Sequence, residues 1–231
     1  MMKNHSWRQS IEARGFAVIP DLFPNAKIEQ IRKELDAAPL RRSRAGARHV
    51  LGEPVVAQLA HDSRLLDTAQ QILGPNVFPY RATLFAKSSV SNWLVVWHQD
   101  TALPLRERQN IPGWGPWSVK EGVIYAHAPA SALEQVLALR VHLDDSTVEN
   151  GPLRVLPATH THGVLTDERI ERLAAEIDPV DCLVSAGGIV AMRPLILHAS
   201  SKATGVAPRR VLHIEYAAQP KLSDGLELAA A

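Results

Sequence analysis

Leu133-Glu-Gln-Val-Leu-Ala-Leu-Arg-Val-His-Leu143 decides how the chain folds. Side chains along a strand point alternately to opposite faces. Leu133, Leu137, Leu139, Val141 and Leu143 therefore share one face, and Glu134, Arg140 and His142 share the other. The same division recurs from Arg209 to Tyr216, where Leu212, Ile214 and Tyr216 oppose Arg209, His213 and Glu215. On an ordinary sandwich the charged face meets solvent. In a barrel whose outer face is covered by helices, it lines a polar lumen instead. The residues that could act as ligands decide between the two.

Working outward, the pattern from Val77 onward has period two, with β-branched residues and turn signals. Strands are expected at 77–87, 93–98, 133–143, 152–157, 181–184, 188–192, 195–198 and 210–216, with a helix at 166–177 between the fourth and fifth. Before Val77 the period is helical. Ile28, Ile31 and Leu35 recur within 26–35, and His61-Asp62-Ser63 offers a cap for a helix over 64–73 that Gly74-Pro75 closes. About eight strands after a helical prelude predict a mainly β fold, a double-stranded β-helix of jelly-roll or cupin-like type buttressed by N-terminal α-helices. One domain is expected over 1–231, with a helical buttress at 1–76 and the barrel at 77–218.

Thr101 to Ala130 reads as a long loop, and loops of that length inside a compact domain are usually lids or binding segments. Trp114, Trp117, Tyr125 and His127 are its candidates for roofing a pocket, although the same aromatics would serve equally to pin the loop to the barrel. Arg41, Arg42, Arg44 and Arg48 form a basic run. Such a run is either a solvated surface or a flap that draws in an anionic substrate such as a carboxylate or CoA ester.

The composition narrows the partners. The 231 residues are 46% hydrophobic and 21% charged with a formal net charge of +1, so the strong basic excess of a dedicated nucleic-acid binder is missing and a small-molecule partner is expected. Cys182 is the only cysteine, which rules out an internal disulfide and suits a reducing compartment. With no apolar leader in the first ten residues and no membrane-length apolar run, the expected location is the cytoplasm.

His98 and Asp100 close the apolar run Trp93-Leu-Val-Val-Trp97 and leave one face of their strand with Cα atoms roughly 6.5–7 Å apart, so both can reach one cation. The best third ligand is His198, again at the end of an apolar strand. Two imidazoles and a carboxylate form the facial triad of non-haem Fe(II) oxygenases, and zinc accepts the same set. The rival pair His160 and His162 has no nearby carboxylate and reads as a loop or helix-entry feature. Arg209 lies on the polar face of the next strand, where a guanidinium beside an iron site suits a dicarboxylate co-substrate.

With Trp97-His-Gln-Asp100, Leu143-Asp-Asp-Ser-Thr-Val-Glu-Asn-Gly-Pro-Leu-Arg-Val-Leu-Pro-Ala-Thr-His160, Arg193-Pro-Leu-Ile-Leu-His-Ala-Ser-Ser201 and Pro208-Arg-Arg-Val-Leu-His-Ile-Glu-Tyr216 in order, the chain resembles the phytanoyl-CoA dioxygenase family of Fe(II)- and 2-oxoglutarate-dependent oxygenases. The resemblance implies iron held at His98, Asp100 and His198. It implies that Arg209 pairs with the distal carboxylate of 2-oxoglutarate, helped by the Ser200 hydroxyl; alternation places the neighbouring Arg210 on the other face. It puts Thr83 at a co-substrate contact and Arg140 where a well-known member has tryptophan, leaving an arginine to grip the proximal carboxylate or an acidic substrate. Gly188 stands where many members have Asp, a change of turn geometry. The implied reaction couples decarboxylation of 2-oxoglutarate to succinate with hydroxylation of a small organic molecule by O2. A non-oxidative metal enzyme on the same barrel and an inactive jelly-roll binding protein remain as alternatives.

Overall fold

A computed structural model describes residues 4–43, 45–222 and 225–231; Arg44 of the basic run lies outside them. Four helices come early in the chain: α1 (Asn4–Arg14), α2 (Asn25–Ala37), α3 (Pro54–Ala60) and α4 (Ser63–Leu73). The Asp62 carboxylate accepts from Arg64 N at 3.1 Å and caps α4. The strands are β1 (Phe16–Ile19), β2 (Gly46–Ala47), β3 (Phe78–Lys87), β4 (Val95–His98), β5 (Ala102–Leu105), β6 (Trp117–Lys120), β7 (Val123–His127), β8 (Val136–His142), β9 (Leu153–Val155), β10 (Val180–Cys182), β11 (Ile189–Met192), β12 (His198–Ser200) and β13 (Arg209–Ala217). Two later helices are α5 (Ala130–Leu133) and α6 (Asp167–Glu176).

A six-stranded antiparallel sheet runs β1-β11-β8-β13-β3-β2, and a four-stranded one runs β10-β9-β12-β4. Together they form the double-stranded β-helix. β8 and β13 pair in the centre of the larger sheet, with Val141 opposite Leu212 and Arg140 opposite His213. Leu137, Leu139 and Val141 pack with Leu212, Ile214 and Tyr216 against Ile28 and Ile31 of α2, Leu59 of α3 and Leu65 of α4. Each of these apolar side chains, removed from water, contributes roughly 1.5–3 kcal/mol. On the opposite face Ala138, Val190 and Met192 meet Leu153, Val155 and Cys182 of the smaller sheet, closing one end of the lumen. Arg140, Arg209, His213 and Glu215 lie in the same lumen and line an open pocket.

Several expectations need correction. The barrel is not confined to 77–218: Phe16-Ala-Val-Ile forms β1 beside β11, and Ala231 exchanges hydrogen bonds with Tyr80 and Ala82 at 2.8 and 2.9 Å. Leu133 ends α5 and packs in a different cluster, so the strand begins at Val136 and Glu134 is not on its polar face. Residues 194–196 form a turn, and the strand begins at His198, where it was expected to end.

Thr101–Ala130 is not an open loop. It contains the sheet β5-β7-β6, with a two-residue hairpin at Glu121-Gly122, where both φ angles are positive, at 51° and 84°. Primed turns match the strand twist, and glycine makes the second position free of strain. Among the described residues no helix is long and apolar enough to cross a membrane.

Candidate metal and co-substrate site

The end of β4 and the start of β12 are adjacent antiparallel strands, with His98 opposite His198. Their ring centroids are 4.2 Å apart, and Asp100 approaches both Nε2 atoms, at 3.8 Å from His98 and 3.5 Å from His198. One atom from each of the three lies within 4.8 Å of the others. The Nδ1 atoms face carbonyl oxygens of their own segments, Val96 O at 2.8 Å and Ile196 O at 3.0 Å. A carbonyl can only accept, so Nδ1 carries the proton in each neutral ring and Nε2 presents a bare lone pair toward Asp100. That is the tautomer a metal requires, oriented by a second hydrogen bond as in known metal-histidine sites. Burial lowers His198 to about 4, opposed by Asp100, so its imidazole is neutral at pH 7. Burial pushes the Asp100 carboxyl up, but His198, His213, His98 and Arg81 outweigh it and keep it ionised. The donor set fits a divalent cation.

Gln99, between two of these residues, points the other way. Its amide donates to Leu195 O at 2.7 Å and Gly163 O at 2.8 Å and accepts from Leu165 N at 2.8 Å. It thereby ties β4 to the turn preceding His198 and to the Gly163–Leu165 segment. His160 and His162 lie in a short 3-10 turn, where His160 faces Glu12 O at 3.3 Å, away from the triad.

Behind the triad, Arg209 is 4% exposed and donates to Ser200 Oγ and Asn150 O, each at 3.3 Å. Lys87 donates to the same hydroxyl at 2.9 Å and to Ser201 O at 2.6 Å. Ser200 gives its one proton to Gly151 O at 2.8 Å, so in this arrangement its hydroxyl is an acceptor for two cations. Gly151 is fixed by close packing: φ is +68°, and a Cβ there would fall 2.4 Å from Ser201 O and 2.9 Å from Lys87 Nζ. Burial lowers Arg209 to about 10 and Lys87 to about 8, and a neighbouring cation adds to each shift. Arg210 turns outward to a two-pronged ion pair with Asp144 at 2.8 and 3.0 Å.

The pocket encloses about 340 Å³ and is lined by the triad together with Thr83, Arg140, Ser200, Arg209, Tyr125 and His127. Arg140 is held by His213 Nδ1 at 2.9 Å, while its Nε has no partner among the described residues. Trp114 and Trp117 do not reach the pocket. Trp114, in the turn after Ile111, belongs to the apolar cluster with Leu103, Ala126 and Leu228, and Trp117, which begins β6, packs against it. Arg81 and Glu215, with Tyr80 at 3.2 Å from Glu215, form a buried ion pair at the pocket wall. Sequence reading missed Arg81 and Lys87, yet they share the alternating face of β3 with Thr83 and Phe85, and that signal could have found them. Gly188 is close to Val184 and to the Ser185 and Ile19 carbonyls, with 2.7 Å left for a Cβ, so the missing side chain matches a crowded turn.

The double-stranded β-helix thus brings two imidazoles and a carboxylate that could hold a metal ion into one pocket with buried cations. Residues 11–211 match the phytanoyl-CoA dioxygenase (PhyH) model, and the chain belongs to that family. It is 27% identical over 169 residues to the ectoine dioxygenase of Bordetella parapertussis, covering 66% of this chain and 48% of that protein. It is 28% identical over 190 residues to the L-proline trans-4-hydroxylase of Streptomyces griseoviridis, covering 71% of this chain and 63% of that one. The chain thus spans about half the length of the ectoine dioxygenase it matches. EctD from S. alaskensis, solved with 2-oxoglutarate and 5-hydroxyectoine, superposes with a TM-score of 0.71 at 20% identity over 93% of this chain and 76% of that one. Its form with bound Fe gives 0.73 at 20% identity over 98% and 79%.

Proposed function

We propose that this chain is an Fe(II)- and 2-oxoglutarate-dependent oxygenase that hydroxylates a small organic molecule, releasing succinate and CO2. The observation that carries the reading is the convergence of His98 Nε2, His198 Nε2 and Asp100 on one point in a pocket that also contains Arg209. His98, Asp100 and His198 would hold the iron on one face and leave its other positions open. Bound there with 2-oxoglutarate, the metal supplies the O2-dependent oxidation of a C–H bond that no side chain can perform.

The chain's own residues bind, orient and exclude water. Arg209 is the partner for the distal carboxylate of the co-substrate, with Ser200 fixed beside it and Lys87 holding Ser200 in place. Thr83 and Arg140 face the same volume, where a hydroxyl and a guanidinium supply donors to a carboxylate. Apolar packing closes the end of the lumen beneath, so the reacting carbon meets the site from one side.

The substrate in this reading is small and anionic. Among the described residues, Arg48, Arg81, Lys120, Arg140 and Arg209 line the pocket against Asp100 and Glu215. A divalent metal and a dicarboxylate cancel each other and leave that excess positive charge in place.

The test is a screen of a metabolite library for succinate release and O2 uptake, run beside His98→Ala. Turnover of 2-oxoglutarate that is lost in the variant supports the reading. Substrate-stimulated turnover that survives in it contradicts the iron assignment.

A further inference from the structure

We propose that Arg48 and Lys120 form a two-cation clamp at the pocket mouth that holds the carboxylate of a small carboxylic-acid substrate; this rests on the oxygenase reading of the same pocket.

The cations deeper in the pocket each have a partner in the fold, and in the oxygenase reading Arg209 and Arg140 serve the co-substrate. Arg81 is paired with Glu215, Arg140 with His213, and Arg209 with Ser200 and Asn150. Arg48 and Lys120 differ from these. Arg48 follows β2, and Lys120 ends β6 just before the Glu121-Gly122 turn, yet both line the same opening. Among the described residues neither forms an ion pair. Glu121, next to Lys120 in sequence, faces His49 Nδ1 at 3.7 Å instead.

Both side chains are exposed, so water solvates their charges in the free protein and an arriving anion can replace it. Burial, followed by Arg48 and Arg81, lowers the Lys120 ammonium, and Asp100 opposes them. The scaffold under them is firm. Lys120 Nζ lies 5.0 Å from the centre of the Tyr125 ring, and Tyr125 is held by His49 Nε2 at 2.8 Å. Next to it, His127 is held by Thr101 Oγ1 at 2.7 Å. An anion placed between the guanidinium and the ammonium would gain two charge-assisted hydrogen bonds over an aromatic floor.

Size and donor type select the anion. A cavity of about 340 Å³ is near the small end for ligand sites and must also admit the co-substrate, which leaves room for a molecule of amino-acid size. Phosphate sites are usually built on helix N-termini or nests of backbone N–H groups. The residues lining this pocket lie on strands and their connections, and none of them opens an α-helix. A carboxylate is the anion that fits.

The experiment uses full-length protein loaded with Fe(II) and 2-oxoglutarate. The probes are a panel of amino acids and small aliphatic carboxylic acids, each matched with its primary amide and, where one exists, a phosphate ester of similar size. Binding is measured calorimetrically without O2, and stimulated succinate release is measured with O2. The clamp predicts that acids bind and stimulate while amides bind at least about tenfold more weakly. In Arg48→Gln/Lys120→Gln the KM for the acids rises about 10- to 100-fold with kcat little changed, and Lys120→Arg keeps most of the affinity. Amides equal to acids, preferred phosphate esters, no acid binding anywhere in the panel, or unchanged acid binding in the double variant would each overturn it. Binding of 2-oxoglutarate to Fe(II)-loaded wild type is measured first. Its absence counts against the oxygenase reading, whereas its presence with a failed acid test counts against the clamp alone.

Discussion

Lys87 and Arg209 are register partners on adjacent strands, and both donate to the single hydroxyl of Ser200, at 2.9 and 3.3 Å. Two buried cations sharing one neutral acceptor are electrostatically incomplete, because each has lost water and neither has gained a carboxylate. The arrangement is suited to receive an anion, and a dicarboxylate co-substrate provides one.

Replacing Lys87 by methionine separates this role from folding. Ser200 loses one of its two cationic donors, so the dissociation constant for 2-oxoglutarate is expected to rise about tenfold. The apo protein loses a desolvated charge, so its thermal midpoint should not fall. Titration of co-substrate beside a melting curve checks both halves; a stability loss with unchanged affinity would refute the positioning role.

The Arg81–Glu215 pair has the opposite character. Glu215 is 3% exposed and accepts from both Arg81 and Tyr80. Burial pushes the Glu215 carboxyl up, yet Arg81 and His213 outweigh it and hold it at about 2. Glu215→Ala strands a buried guanidinium and is expected to cost about 3–5 kcal/mol in urea denaturation. A loss within about 0.5 kcal/mol would show that the pair is solvated.

His142 adds acid sensitivity. Its ring is buried, neither nitrogen has a partner among the described residues, and burial, followed by Arg140 and Arg209, holds its pKa well below 6.5. The unfolded chain binds this proton near 6.5 and the folded chain does not, so stability falls as the pH drops from about 6.5 toward the folded value. Above that range His142 contributes no pH dependence. Its contribution approaches about 1.4 kcal/mol per pH unit, and His142→Leu should remove it from a series of denaturant melts.

Alternation made the lumen legible. Reading Arg140, Arg209, His213 and Glu215 as one polar surface needed only period two on β8 and β13, and it excluded Arg210, which the structure turns to Asp144. The same rule could have reached Arg81 and Lys87 on β3. Other features were less legible, because tertiary contacts set them. For Trp114 and Trp117 the sequence left a pocket roof and a packing anchor equally open, and the fold places both against an apolar cluster, whereas Tyr125 and His127 line the pocket. The strand around His198 starts late, after a turn whose Leu195 carbonyl accepts from Gln99 and whose following Leu197 N–H donates to Thr159 Oγ1. Arg48 and Lys120 are far apart in sequence, and only the fold brings them to one opening.

The central claim is that His98, Asp100 and His198 bind one Fe(II) that then accepts 2-oxoglutarate from the Arg209 side. The most direct measurement is anaerobic addition of Fe(II) and 2-oxoglutarate while following the visible charge-transfer absorption of the chelate. Wild type should develop the band with saturable dependence on both components, and Asp100→Ala should lose it along with at least about 100-fold in metal affinity. A band that persists in Asp100→Ala, or one that never forms in wild type, would contradict the account.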